Sequence, residues 1–202
     1  MNELSNHIYH ALEQVRNLRH HILEKQRFKG YSGWARGLGG TMALGGALLT
    51  SVLPASNWVA LLVWWSVLIL GLGVNYGALA YWFFWDPLTG RDLSKLNPAW
   101  KALPSLLVGG VISFALLRSR LFWPLYGIWM TMYGLTNISS LEILPRRILY
   151  VGIFYGTCGT VYLLSPHPSF LNPWPMGIVF FIGEWAAWWV MEFDEREPDE
   201  NE

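Results

Sequence analysis

Charged residues are scarce in this 202-residue chain, at 14% of the sequence, and only one residue is a cysteine. About a quarter of the residues in a soluble domain are usually charged, so this composition argues against a soluble fold. The single Cys158 excludes an intrachain disulfide and a cysteine-based zinc site. The N-terminus is polar for more than thirty residues, which excludes a cleaved secretory signal.

Apolar residues are concentrated in six segments: 38–53, 58–82, 104–117, 121–138, 148–164 and 176–191. Several are shorter than the ~20 residues that an untilted helix needs to cross a bilayer. Tilting, or thinning of the bilayer, accommodates such lengths. We therefore predict an all-α integral membrane protein of about six transmembrane helices, arranged as three hairpins. If segment 104–117 is re-entrant, this topology changes.

Neither lysine nor histidine occurs within these six segments. This absence excludes haem held by two histidines within the membrane and a retinal Schiff base. The chain also lacks a phosphate-binding glycine loop, a nucleophile elbow and an HExxH motif. We expect no enzymatic activity, no metal and no cofactor, although a bound lipid is compatible with the composition. No nucleic-acid partner is expected.

Basic residues between the segments indicate the orientation of the chain. They cluster before residue 37, at 91–101 and at 146–147, whereas the alternate connectors 54–57 and 165–175 contain none. Only Arg118 and Arg120 lie on the side of those connectors. Because cytoplasmic loops are enriched in Lys and Arg, both termini are predicted to be cytoplasmic, in a bacterial cytoplasmic membrane.

Three regions follow from this pattern: residues 1–35, the bundle 36–191 and an acidic, disordered tail 192–202. In the first region, apolar residues recur every three or four positions, which is a heptad seam formed by Leu4, Ile8, Ala11, Val15, Leu18 and Ile22. We predict a cytoplasmic amphipathic helix. Three alternatives are open for this helix. It docks to a protein or dimerises as a coiled coil, it lies on the lipid surface, or it packs locally.

Small residues recur four positions apart in the first apolar segment and just before it. One series is Gly33, Gly37, Thr41 and Gly45, and a parallel series is Gly39, Ala43, Ala47 and Ser51. Gly73 with Gly77, and Gly152 with Gly156, share this spacing. Such stripes allow close approach of two helix backbones, and packing within the chain is the expected use.

Glu184 is an acidic residue near the middle of the last apolar segment. Ten residues after Trp174, it lies about 15 Å along a helix, and Tyr133, Tyr155 and Ser66 fall at similar predicted depth. The pattern places no Lys, Arg or His at that level, so a protonated carboxyl group with hydroxyl partners is expected. Both a structural hydrogen bond and a proton, cation or ligand site remain open.

Our leading hypothesis is a non-enzymatic multi-pass membrane protein that works through protein–protein contacts. It would be an accessory subunit of a membrane complex or a membrane-tethered regulator, with lipids and another membrane protein or its own copies as partners. The alternative is a small oligomeric transporter or channel with Glu184 as its coupling or binding residue. A third interpretation is an enzyme or lipid-binding protein with a pocket around Glu184 and the neighbouring tryptophans.

Overall fold

The computed structural model describes Gln14 and residues 33–85, 97–141 and 144–194. Within this part of the chain the regular structure is helical and no strand occurs. Its long helices, in chain order, are α1 (Gly33–Val52), α2 (Asn57–Trp85), α3 (Asn97–Arg118), α4 (Leu125–Ser139), α5 (Ile148–Leu164) and α6 (Trp174–Asp194). The prediction of an all-α chain with six helical segments in the apolar region is confirmed for these residues.

Two of these helices are long and apolar enough to cross a membrane. They are residues Asn57–Tyr81 of α2, with a mean hydropathy of 1.9, and residues Trp174–Phe193 of α6, with 1.3. The apolar parts of α3 and α5, Leu103–Arg118 and Ile148–Leu164, are shorter. Length and composition therefore qualify two of the six helices as candidate membrane spans.

The helices contact one another in the order α2, α1, α6, α5, α4, α3. The two helices of each predicted hairpin pack together. The most extensive contacts, however, join α1 to α6 and α4 to α5. Chain neighbours within a hairpin are therefore not always the principal packing partners. Helices α1 and α6 lie side by side as second and third in this order.

Glycines bring α4 and α5 together. A Cβ atom added to Gly134 would lie 2.7 Å from the Gly152 carbonyl oxygen, and one added to Gly159 would lie 2.6 Å from the carbonyl oxygen of Gly127. The glycines are seven residues apart on both helices, which places each pair on one helix face. Only hydrogen fits at these crossing points, so the sequence determines how closely the two backbones approach.

An aromatic cluster closes the end of the bundle where α4 begins. Tyr126 is fully buried there, and its ring lies 4.6 Å from that of Phe170 and 5.4 Å from that of Trp64. Its hydroxyl donates to the Phe170 carbonyl oxygen at 3.0 Å, and the Tyr162 hydroxyl donates to Ser169 at the same distance. These bonds fix the connector between α5 and α6 over the core.

Candidate functional site

A buried ion pair joins α1 to α6. The Arg36 guanidinium donates from Nε to Oε2 of Glu184 at 3.0 Å and from Nη2 to Oε1 at 2.9 Å. Arg36 is 6% exposed and Glu184 is 3% exposed. Two parallel bonds from a planar guanidinium to a carboxylate form the strongest class of charge-assisted hydrogen bond in proteins.

Two further side chains complete the hydrogen bonding of this pair. Nη2 of Arg36 also donates to the Asn137 Oδ1 atom of α4 at 2.8 Å. The Tyr155 hydroxyl of α5 donates to Oε1 of Glu184 at 3.0 Å. Residues of α1, α4, α5 and α6 therefore meet at one point. We call Arg36, Asn137, Tyr155 and Glu184 the central network.

Tyr133 of α4 lies beside this network. Its ring is 5.0 Å from the Tyr155 ring at an angle of 80°, and 5.1 Å from the ring of Phe180. It is also close enough to Arg36 and Glu184 to interact with both electrostatically. The aromatic rings of Tyr133, Tyr155 and Phe180 form an apolar wall that keeps water from one side of the charges.

Small residues on α1 make room for this arrangement. A Cβ atom on Gly40 would lie 2.8 Å from Cβ of Glu184, and one on Gly33 would lie 3.1 Å from the Trp188 ring. Gly37 faces Trp185 and Trp188 at 3.8 Å. Gly33, Gly37 and Gly40 are separated by four and then three residues, so they lie on one helix face. The small residues let α6 approach until the Arg36 side chain reaches Glu184.

The series of small residues predicted at a strict spacing of four only partly match the face of α1 that contacts α6. Gly33 and Gly37 belong to one predicted series and do contact α6, whereas Gly45 of the same series has nothing within 4 Å of an added Cβ atom. Gly73 and Gly77 on α2 are also open. The contact face follows alternating steps of three and four because α-helices have 3.6 residues per turn.

The expectation that no cation lies near Glu184 is wrong. Arg36 lies in the first turn of α1, two residues before the predicted start of its apolar segment, but its side chain points into the bundle. Arginine can only donate hydrogen bonds, so both oxygens of Glu184 act as acceptors. This geometry is that of an ionised carboxylate rather than of the protonated acid expected from the sequence.

Of the three hydroxyl residues proposed as neighbours of Glu184, the structure brings two to the site. Tyr155 donates to the carboxylate, and Tyr133 packs against Tyr155. Ser66 is exposed, and its hydroxyl donates to the Leu62 carbonyl oxygen within α2. Matching depth along different helices does not bring side chains together, because the rotation of each helix decides which face points inward.

Arg36 and Asn137 were not among the residues proposed for the site. Arg36 belongs to the basic cluster before residue 37, which we used only to predict the orientation of the chain. The signal that would have identified Arg36 is its position between Gly33 and Gly37, because an arginine beside a close helix contact must bury its side chain or bend it outward. The proposed contact residues of the N-terminal helix, from Leu4 to Ile22, lie outside the described residues.

Most of the hydrogen-bonding capacity of the central network is used within the protein. Each Glu184 oxygen already accepts from Arg36, and Oε1 accepts a second bond from Tyr155. Among the described residues, no group of three His, Cys, Asp or Glu side chains could hold a metal ion. The chemistry of the arrangement is therefore that of a charged clamp between four helices.

Comparisons of this chain with protein-family models, with curated proteins and with solved structures found no match.

Proposed function

We propose that this chain is a non-enzymatic integral membrane protein that acts by contacting another membrane protein, as an accessory subunit or a membrane-tethered regulator. In this proposal all six helices lie in a bacterial cytoplasmic membrane, and both termini are cytoplasmic. The apolar lengths of α2 and α6 and the distribution of basic connectors support this placement.

The observation that carries the proposal is that three hydrogen bonds hold Glu184 in place. A transport or catalytic carboxylate must exchange partners during its cycle, whereas Glu184 is held by two bonds from Arg36 and one from Tyr155. Arg36 is three residues from the first residue of α1. The clamp therefore fixes the beginning of α1 against α6.

The second half of α2 supports the proposal independently. The consecutive residues Leu68, Ile69 and Leu70 are all exposed, and they point in directions 100° apart around the helix. More than half of the circumference is therefore not covered by the residues that the structure describes. Added Cβ atoms at Gly73 and Gly77 would meet nothing within 4 Å, so a partner helix has room to approach the backbone closely.

Purification of the full-length chain from its native membranes in mild detergent tests this proposal. We expect a stoichiometric second protein to co-purify with the wild type and to be lost from a variant carrying Gly73→Leu and Gly77→Leu. Gly110→Leu is the matched control, because Gly110 on α3 is equally open but lies on another surface. If all three proteins purify without a partner, the proposal fails.

The alternative is a small oligomeric transporter or channel that uses Glu184. The observation in its favour is that the central network crosses α1, α4, α5 and α6, so a movement of any of these helices would expose the carboxylate. Proton or cation flux in proteoliposomes separates the two functions. Flux by the wild type that disappears in a folded Arg36→Met, Glu184→Gln double variant supports the transporter.

A further inference from the structure

An open groove of about 370 Å³ runs along the outer surface between α4 and α5. Its walls include Leu135 and Ile138 on α4 and Ile153, Gly156 and Val161 on α5. Between Gly152 and Val161 it follows nine residues of helix, which is about 13 Å. This length is close to half of the ~30 Å hydrocarbon thickness of a bilayer, that is, to one leaflet.

The groove is apolar although three threonines line it. The hydroxyls of Thr131 and Thr160 donate to the carbonyl oxygens of Gly127 and Gly156, four residues earlier in their own helices. These hydroxyls are therefore already used in hydrogen bonds within the helices. No Cβ atom narrows the α5 wall at Gly156, where an added one would meet nothing within 4 Å. The surface suits a flexible hydrocarbon chain better than a polar ligand.

A basic residue, Arg146, lies six residues before Gly152, the first α5 residue that lines this groove. Arg146 is exposed and lies two residues before α5 begins, on a backbone that is already bonded to Leu149. Residues 146, 149, 153, 156 and 160 are spaced by three or four positions, so they follow one face of the helix. The basic side chain therefore precedes the same face that forms the α5 wall.

We propose that this groove binds one acyl chain of an anionic phospholipid whose phosphate contacts Arg146. The assignment rests on the membrane placement under the proposed function. Arg146 belongs to a connector on the predicted cytoplasmic side, at the level of the headgroups, and the groove extends from there into one leaflet. The site combines a positive charge at the headgroup level with an apolar groove as long as one leaflet. This combination matches a phospholipid and no soluble ligand.

Native mass spectrometry of the purified full-length protein tests this site, with phosphatidylglycerol and phosphatidylcholine of identical acyl chains as probes. We expect one retained phosphatidylglycerol per protomer, with a preference of about fivefold over phosphatidylcholine, because one basic residue near a membrane surface contributes ~1 kcal/mol. Arg146→Gln should abolish the preference but keep some binding of both lipids. Arg118→Gln, at the opposite ends of the helices, should leave the preference unchanged.

Filling the groove should remove both lipids. Gly156→Leu fills the groove from its α5 wall. If this variant fails to fold, Thr157→Trp fills the groove from an exposed position on the same helix. Gly110→Leu is the control outside the groove. Retention of lipid by a folded groove-filled variant, or an unchanged preference in Arg146→Gln, would overturn the site.

A lipid-free dimer that Gly156→Leu converts to a monomer would assign the groove to a second copy instead. Extraction of the chain from membranes by carbonate would contradict the membrane placement itself.

Discussion

Removing one partner of the Arg36–Glu184 pair should destabilise the fold far more than removing both. Two unit charges about 4 Å apart attract by about 4 kcal/mol at an effective dielectric constant of 20. The two hydrogen bonds of 3.0 and 2.9 Å put the pair in this range. Because desolvation of each charge offsets much of that attraction, the pair itself contributes little net stability, but an orphaned charge costs about 3–5 kcal/mol.

The perturbation is a double-mutant cycle with Arg36→Met, Glu184→Gln and the two combined. Each single variant should lower the free energy of unfolding by about 3–5 kcal/mol. In the double variant no buried charge is left without a partner, so it should lose less stability than either single variant, about 0–2 kcal/mol. Arg118→Met, at an exposed position, should change stability by less than about 0.5 kcal/mol.

Unfolding in mixed micelles, followed by tryptophan fluorescence, measures these energies. Trp185 and Trp188 lie on the same helix as Glu184, with ring centroids 5.1 Å apart, and are two of the thirteen tryptophans that contribute to this emission. Losses in the double variant equal to the sum of the single losses would refute the energetic coupling. Single variants as stable as the wild type would refute the clamp as a whole.

Two further changes probe the surroundings of the clamp. Tyr155→Phe removes the hydroxyl that donates to Glu184 at 3.0 Å and should cost about 1.5–3 kcal/mol of unfolding free energy, whereas Tyr150→Phe, on the exposed face of α5, should cost nothing measurable. Gly40→Ala places a Cβ atom 2.8 Å from that of Glu184 and should lower the stability by about 1–3 kcal/mol, whereas Gly45→Ala meets open space. Equal melting temperatures within either pair would contradict the packing described for α1, α5 and α6.

Burial of the clamp explains why it suits a structural role. An ion pair is an expensive contact between helices unless its remaining donors and acceptors are satisfied, and here Asn137 and Tyr155 provide those partners. In return, a bidentate pair specifies one rotation and one register of α1 against α6, since a shift of one residue would separate the groups.

The sequence by itself determined the helical class and the positions of the helices. Long apolar runs bounded by Pro, Asn and charged residues allow little else, and the α5 segment was predicted at 148–164, the bounds that the structure has. Of the four glycines that set the α4–α5 distance, the spacing of small residues predicted only Gly152, and Gly156, predicted with it, has open space beside its Cα atom. Local chemistry carries this information because backbone hydrogen bonding within a helix depends only on nearby residues.

Only the tertiary structure decided which helices are neighbours and which charges meet. Arg36 and Glu184 are 148 residues apart, and their contact depends on the rotation of both helices and on the length of one flexible side chain. The predicted site contained Ser66, which the rotation of α2 turns outward, and lacked Arg36, which the glycines of α1 allow inward. The sequence thus placed an acid within the bundle, and the packing of α1 on α6 supplied its cation.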